Sequence, residues 1–276
     1  MAITINDDPA GQAAPHHATH DMLKGHDRAI LQYSGGKDST ALLYLARPWL
    51  DRIEVVFGDT GAAFPHMREH IVRTCAKLGA KLTIVTPEEP IDEYHRRVGL
   101  PADVVPFWNT RSAMWTANDR ARFPLQDPLR CCSARYWEPL MHHIQGSAAT
   151  LVLRGAKSAD SRTGFPDGVY GGVELRHPLW GWTDADVFEY LRREGAELPA
   201  HYGMGGKIDS MDCWSCTAHL PYGGAERLAW MRHNAPSLFA QLAPRLAHVR
   251  NVVAAEALEA DRVIQDALAG GPEAVG

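Results

Sequence analysis

Leu31-Gln32-Tyr33-Ser34-Gly35-Gly36-Lys37-Asp38-Ser39-Thr40 is the stretch whose reading decides the fold. Ahead of it, Ala29–Tyr33 is apolar and short enough for a buried strand. Behind it, Ala41-Leu42-Leu43-Tyr44-Leu45 has the composition of a helix, with Pro48 to stop it. A strand that turns through Ser-Gly-Gly into a helix aims several backbone N–H groups and a helix N-terminus at one place. Unpaired amides and the helix dipole both favour negative charge there, so phosphate is the expected ligand. Gly35 and Gly36 let the main chain come close to it, Lys37 adds a full positive charge, and Ser34 and Ser39 add hydroxyl donors. The spacing excludes a Walker A loop, which needs Gly-x-x-x-x-Gly-Lys-Ser/Thr.

Outward from this loop, strands and helices alternate. Ile53–Phe57 reads as the next strand, ending in Gly58-Asp59-Thr60-Gly61. Pro65 opens a helix to about Leu78, as suits proline in a first turn, and Lys81–Val85 is a third strand stopped by Pro87. The pattern predicts parallel βαβ units in an α/β fold, a Rossmann-like doubly wound parallel sheet. Ligands of such sheets lie beyond the carboxyl ends of the strands, at the switch point. The glycine loop and Asp59-Thr60-Gly61 are therefore expected to face one pocket. Further on, Leu151-Val152-Leu153 is another buried strand, followed by Arg154, Gly155, Lys157, Ser161 and Arg162. Three basic residues there suit phosphate or sulfate, and a surface loop would look similar. Thr183-Asp184-Ala185-Asp186 is a capping box, with Val187, Tyr190 and Leu191 on the apolar face of the helix that it starts.

Other stretches are less regular. Met1 to about Gly25 has no periodicity and reads as a flexible lead-in, with His16, His17 and His20 in a solvated tail. Between Glu88 and Asp127, Trp108, Arg111, Trp115, Arg120 and Arg122 interleave aromatics with arginines. They read either as stacking and phosphate-pairing groups or as a solvated helical excursion with two anchoring tryptophans. A helix is expected over Ala134–His143, interrupted or started near Pro139. His201–Asp212 is Gly-rich and irregular. Ala225 to about Leu268 reads as two or three helices, with Leu228, Met231, Leu238, Leu242 and Leu246 spaced for burial. The expected division is 1–25 as lead-in, 26–220 as nucleotide-binding domain and 221–276 as a helical C-terminal extension.

The totals bound the classes. At 276 residues, 45% hydrophobic and 22% charged, the chain can bury a substantial core. No apolar run approaches a membrane span and no signal-peptide core opens the sequence, which points to the cytoplasm. A net charge of −5 argues against non-specific coating of nucleic acid. Five cysteines, an odd number, speak for metal or redox chemistry rather than a disulfide scaffold. Cys131-Cys132 and Cys213-x-x-Cys216 offer four thiolates, enough for a 4Fe–4S cluster or a tetrahedral zinc. Adjacent cysteines suit common structural zinc sites poorly.

Ser34–Ser39 matches the PP-loop, Ser-Gly-Gly-x-Asp-Ser, of enzymes that cleave nucleotides between the α and β phosphates or hold adenosine phosphosulfates. With the cysteines it carries a wider resemblance. Asp59-Thr60-Gly61 with Phe64-Pro65, Cys131-Cys132 with Glu138-Pro139-Leu140, Gly155 through Arg162, Pro178–Val187 and Cys213–Thr217 follow collinearly. Together they resemble the 3′-phosphoadenosine-5′-phosphosulfate (PAPS) and adenosine-5′-phosphosulfate (APS) reductase family, across roughly residues 28 to 220. The resemblance implies the adenine nucleotide α-hydrolase fold and, in the APS-type branch, a 4Fe–4S cluster on the two cysteine pairs. It departs at one point. The reductases attack sulfur with a cysteine in a C-terminal Glu-Cys-Gly-x-His-type motif, and here no cysteine follows Cys216. The remaining one, Cys75, reads as a buried structural thiol in a helix.

Three functions follow from the resemblance. In the first, an ATP-using enzyme adenylates a substrate for sulfur transfer, as in DNA phosphorothioation or tRNA thiolation. Ser34, Gly35, Gly36, Lys37 and Ser39 hold the phosphates, Asp38 positions magnesium or orders the loop, and Asp59 is the second candidate for the metal. Thr60, Gly61, Gly155, Lys157, Ser161 and Arg162 complete the nucleotide site. Cys131, Cys132, Cys213 and Cys216 hold the cluster, and a cysteine desulfurase is a candidate sulfur donor. In the second, an APS or PAPS reductase forms sulfite with electrons from thioredoxin. In the third, a non-catalytic subunit binds nucleotide and cluster.

Overall fold

A computed structural model describes residues 21–106, 125–163, 166–204 and 211–269. Contacts divide the chain into two compact units, one of Met1–Glu88 with Ala134–Asp212 and the other of Glu89–Ser133 with Cys213–Gly276.

The first unit is built on β1 (Ala29–Gln32), β2 (Ile53–Gly58) and β3 (Lys81–Val85), joined by α1 (Lys37–Leu45) and α2 (Pro65–Leu78). All five stand where the sequence places them. Pro65 sits in the first turn of α2, and Gly79 closes it with a left-handed φ of 69°, a conformation that costs glycine little. β6 (Leu151–Leu153) pairs parallel with β1, and the hairpin of β7 (Gly168–Tyr170) and β8 (Val173–Arg176) follows it. The sheet order is β3-β2-β1-β6-β8-β7. Five strands run parallel, and β7 pairs antiparallel with β8 at the edge, so the sheet is mostly rather than wholly parallel. The hairpin turns on Gly171 and Gly172, both at positive φ.

Side-chain alternation along each strand feeds two cores, one on either face. Leu31, Val55 and Leu153 pack with α1, α2 and α6 (Asp184–Arg193), whose Val187, Tyr190 and Leu191 are buried as expected. Ile30, Val56 and Val152 pack on the other face against Leu140 and Ile144. Those two belong to α5 (Glu138–Gly146). Leu23, inside the expected lead-in, is only 1% exposed and joins the first core. Burial of a leucine side chain contributes about 1.5–3 kcal/mol, so Leu23 is held by the core although the sequence around it lacks periodicity. His16, His17 and His20 lie outside the described residues.

In the second unit, α3 (Ile91–Val98) leads to the short parallel pair β4 (Leu100–Pro101) and β5 (Leu125–Gln126). α4 (Pro128–Cys132) starts on Asp127, whose Oδ1 accepts from the Leu129 N–H at 2.7 Å. A π-turn over Ser133–Trp137 links α4 to α5. The helical run therefore opens six residues ahead of the expected Ala134, because Asp127-Pro128 supplies a cap and a first-turn proline. α7 (Gly224–Asn234) and α8 (Pro236–Ala269) complete the unit. Met231 and Leu242 are fully buried, and Leu228, Leu238 and Leu246 are partly so. Leu100, Ala102, Leu125 and Val249 form its small core. Trp108, Arg111, Trp115, Arg120 and Arg122 lie outside the described residues. Among the described residues, no helix is long and apolar enough to cross a membrane.

Candidate functional site

The chain winds from β1 outward to β3, then returns to add β6 on the other side of β1. The switch point thus lies between β1 and β6, and the loops leaving both strands meet there. Gly155 shows how tightly. A Cβ on it would stand 2.8 Å from the Asp38 carbonyl carbon and the Ser39 nitrogen, so only glycine allows this approach. Gly35 turns the first loop at φ 77°, with Ile71 packed beneath it. Ser34 and Ser39 hydroxyls lie 3.2 Å apart, and Ser39 Oγ donates to the Gly36 carbonyl at 3.1 Å.

Two lysines converge on this point. Lys37 is 5% exposed and Lys157 is 2% exposed. Asp38 holds both, with Oδ1 at 2.5 Å from Lys157 Nζ and Oδ2 at 3.3 Å from Lys37 Nζ. Asp160 Oδ2 accepts from Lys157 Nζ at 3.1 Å and from its backbone N–H at 3.0 Å. Asp184, the first residue of α6, reaches Lys157 at 3.2 Å and Lys37 at 3.6 Å. Burial disfavours the Lys157 charge, but the bonds from Asp38 and Asp160 outweigh it and hold its pKa above the ordinary lysine value. Burial likewise opposes ionisation of Asp184, and the Lys37 and Lys157 charges prevail to hold its carboxyl below the usual range. Tyr202 completes the group, its hydroxyl accepting from the Lys37 N–H at 2.9 Å.

Beside this, β2 ends in a turn built by Asp59, whose Oδ1 accepts from the N–H groups of Gly61 at 2.9 Å and Ala63 at 3.4 Å. Its Oδ2 faces Arg68 at 3.3 Å. Buried Arg135 donates to the Thr60 carbonyl at 3.1 and 3.3 Å. A pocket lies between the two loops, lined by Ser34, Gly58, Thr60, Met67, Tyr136 and Asp212. The Tyr136 ring covers Gly58, where a Cβ would come within 2.7 Å of it. Burial, then the Asp212 charge, pushes the Tyr136 hydroxyl up to about 12.

Residues 34–39, Gly155 and Lys157 are thus brought together, and Ser34 and Thr60 line one pocket. The side chains of Ser161 and Arg162 lie outside the described residues. Sequence reasoning missed Asp160, Asp184, Tyr202 and Arg135. Asp184 stands in the first turn of a helix, where the dipole favours any acid, and nothing local marks Tyr202. Both carboxylates expected at magnesium are engaged, Asp38 by lysines and Asp59 by amides and Arg68.

The second unit holds both cysteine pairs, and all five cysteines are thiols rather than disulfides. Cys131 lies on α4, 3.6 Å from His95 Nε2. His95 Nδ1 faces Arg245 Nη1 at 3.5 Å, and Arg245 also pairs with Asp92 at 2.5 Å. Arginine can only donate, so the Arg245 contact favours the His95 tautomer that has its proton on Nε2, facing Cys131. The Arg245 guanidinium stacks over Trp214, between the other two cysteines, at 5.6 Å. Burial, then the neighbouring Cys213, raises the Cys216 thiol above its ordinary value. Thr217 Oγ1 donates to the Pro101 carbonyl at 2.5 Å, and Asp103 accepts from the N–H groups of His219 and Leu220 at 2.6 and 2.9 Å. Four thiols in one unit are the donor chemistry of an iron–sulfur cluster. They fit that group in kind. Among the described residues, no three Cys, His, Asp or Glu gather closely enough to hold a metal ion.

Comparison with known proteins agrees with the fold. The sequence model of the phosphoadenosine phosphosulfate reductase domain matches residues 28–219. Sulfate adenylyltransferase subunit 2 of Streptomyces lavendulae is 24% identical over 241 residues, which cover 71% of this chain and 67% of that protein. An uncharacterised protein of Methanocaldococcus jannaschii is 23% identical over 212 residues, and the match takes in 73% of this chain but 44% of the relative. Among solved structures, PAPS reductase from Candida auris, in a phosphate complex, aligns with a TM-score of 0.54 at 17% identity. That alignment covers 74% of this chain and 89% of the reductase, and at such identity the likeness is one of fold.

Proposed function

This chain belongs to the phosphoadenosine phosphosulfate reductase domain family, and from that membership we propose that it is an ATP-using PP-loop enzyme that adenylates a substrate for sulfur transfer. The observation that carries the reading is the convergence of buried Lys37 and Lys157 on the glycine loop at the switch point. Two ammonium groups beside a helix N-terminus suit a polyphosphate. In the proposed reaction an acceptor oxygen attacks the α-phosphorus of ATP. The bond from that phosphorus to the bridging oxygen breaks, and pyrophosphate leaves with the electron pair. Loop amides, the Ser34 and Ser39 hydroxyls and both lysines meet the charge that develops. Asp38 orders the lysines, and any magnesium would enter with the nucleotide as part of the substrate and would supply neutralising charge. Asp59, Thr60, Gly61 and Gly155 would line the adenylyl part, and Ser161 and Arg162 remain assigned to it on the family resemblance alone. Cys131, Cys132, Cys213 and Cys216 would hold a 4Fe–4S cluster, which when bound supplies a place to receive sulfur. A cysteine desulfurase would deliver the sulfur and a nucleic acid would accept it.

The relative named sulfate adenylyltransferase subunit 2 supports adenylyl transfer. The reductase reading lacks a nucleophile within these 276 residues. Attack on a phosphosulfate needs a thiolate within reach of sulfur. Cys75 is packed in the core at 1% exposure, and burial pushes its thiol up to about 12. The test pairs two assays on anaerobically prepared protein. One follows pyrophosphate release from ATP and magnesium. The other follows sulfite from APS or PAPS with thioredoxin. Pyrophosphate without sulfite is expected. Sulfite formation that is lost in Cys75→Ser would overturn the proposal, and nucleotide binding with neither product would leave a non-catalytic subunit.

A further inference from the structure

Two of the donors reserved above for phosphate are engaged by the chain's own oxygen atoms. The Lys37 N–H, at the start of α1, donates to Tyr202 Oη at 2.9 Å. The same oxygen lies 3.2 Å from where a Gly36 Cβ would stand, so it covers the glycine face of the loop. The Tyr202 ring is braced by His201 at 4.3 Å and Phe188 at 6.0 Å, with Lys37 Nζ 6.0 Å from its centroid. The second oxygen is Asp184 Oδ1, which lies 3.6 Å from Lys37 Nζ and 3.2 Å from Lys157 Nζ. An oxygen on the helix amide and an anionic oxygen between two lysines make the contacts that phosphate oxygens would make.

The other carboxylates are placed differently. Asp38 stands in the first turn of α1 itself, and Asp160 also accepts from the Lys157 backbone, so both belong to the loops they hold. Asp184 comes from another helix, and its side chain is 58% exposed over lysines that are 6% and 2% exposed. It covers them from the solvent side. We propose that Tyr202 and Asp184 are internal competitors for the phosphate cradle, and that a nucleotide seats its phosphates by displacing the phenol from the Lys37 amide and the carboxylate from the two lysines. This rests on the phosphate reading of residues 34–39 and adds to it the sign of two substitutions. Residues that merely support a site weaken binding when removed, whereas competitors strengthen it.

The probe is inorganic pyrophosphate, titrated calorimetrically into the full chain at constant pH and salt. Tyr202→Phe keeps the ring and removes the competing oxygen, and affinity is expected to rise about three- to tenfold. Asp184→Asn keeps the shape and removes the charge, and a rise of about tenfold or more is expected. Lys37→Ala is the control for the cradle itself. If wild type binds and Lys37→Ala does not, equal or weaker binding by a variant overturns the inference for that residue and leaves the cradle standing. If pyrophosphate binds to none of them, the cradle reading and the inference fall together. A 3-fluorotyrosine label at Tyr202 gives a second readout, since displacement must shift its fluorine resonance at saturating pyrophosphate. An unmoved resonance there would also overturn the displacement of Tyr202.

Discussion

Lys37 presents two donors to the same place, its backbone N–H and its ammonium. One charge-assisted phosphate contact in a partly buried site is worth roughly 1.5–3 kcal/mol, and about 1.4 kcal/mol is tenfold in affinity. Lys37→Ala is therefore expected to weaken adenine nucleotide binding more than tenfold, and calorimetry showing unchanged affinity would refute the role of the loop. His70 is a residue of the opposite kind, buried at 2% exposure on α2 and outside the lysine cluster. Burial, then the Arg73 charge, lowers its pKa to about 4, while Glu197 pulls the other way. The unfolded chain binds the His70 proton at an ordinary pKa near 6.5 and the folded chain does not. Stability should therefore fall as pH drops from about 6.5 to about 4, by up to about 3 kcal/mol. Urea unfolding at pH 7 and pH 4 checks this, since the difference should shrink in His70→Leu.

At the scale of elements, the site depends on how closely β6 and α1 approach. Gly155→Ala places a methyl group 2.8 Å from backbone atoms of Asp38 and Ser39, which cannot rotate away as a side chain could. The first turn of α1 must shift, at about 1–3 kcal/mol of stability, and pyrophosphate affinity should fall with it. Gly146→Ala on α5 meets nothing within 4 Å and serves as the control, neutral or slightly stabilising. Thermal melts and pyrophosphate titrations of both variants would show this, and a Gly155→Ala chain that melts and binds like wild type would disprove the close approach. α6 carries a second dependence. Thr183 accepts from the Asp186 N–H at 3.2 Å, and Asp186 accepts from the Thr183 N–H at 2.8 Å, a capping box that fixes where Asp184 stands.

Across the whole molecule, each unit keeps one chemistry. The residues proposed to hold phosphate lie in the first and both cysteine pairs in the second. Anaerobically prepared protein is expected to be brown with about four irons per chain. Serine at Cys131, Cys132, Cys213 or Cys216 should bleach it, and Cys75→Ser should leave the iron in place. Stoichiometric zinc in a colourless anaerobic sample would contradict the cluster. Stripping iron with a chelator should not melt the Cys213–Leu220 segment, because Pro101, Asp103 and Arg227 already hold it through Thr217, the His219 and Leu220 amides and the Cys216 and Ala218 carbonyls. Protection of these amides from hydrogen exchange, compared before and after stripping, measures that.

Local chemistry explains what was legible in advance. A proline in the first turn of α2, a glycine in left-handed conformation after it, and short apolar runs at β1, β2, β3 and β6 act over a few residues, so the sequence alone determined these elements and the glycine turn between β1 and α1. The β7–β8 hairpin escaped notice because strands of three and four residues carry too little alternation, although Gly171-Gly172 was a turn signal that could have found it. The family resemblance put Lys157 in one site with Lys37, but tertiary structure alone showed which oxygens hold the two lysines, those of Asp38, Asp160 and Asp184, and that Tyr202 caps the Lys37 amide. Lys157 lies 119 residues from Asp38, and Tyr202 lies 165 residues from Lys37. Their meeting depends on β6 crossing to the far side of β1, a choice of strand order written in no local pattern. The physical reason is range. Capping, turn geometry and periodicity are short-range properties of a chain, whereas the electrostatics of two buried lysines are set by whichever carboxylates the completed sheet delivers to them.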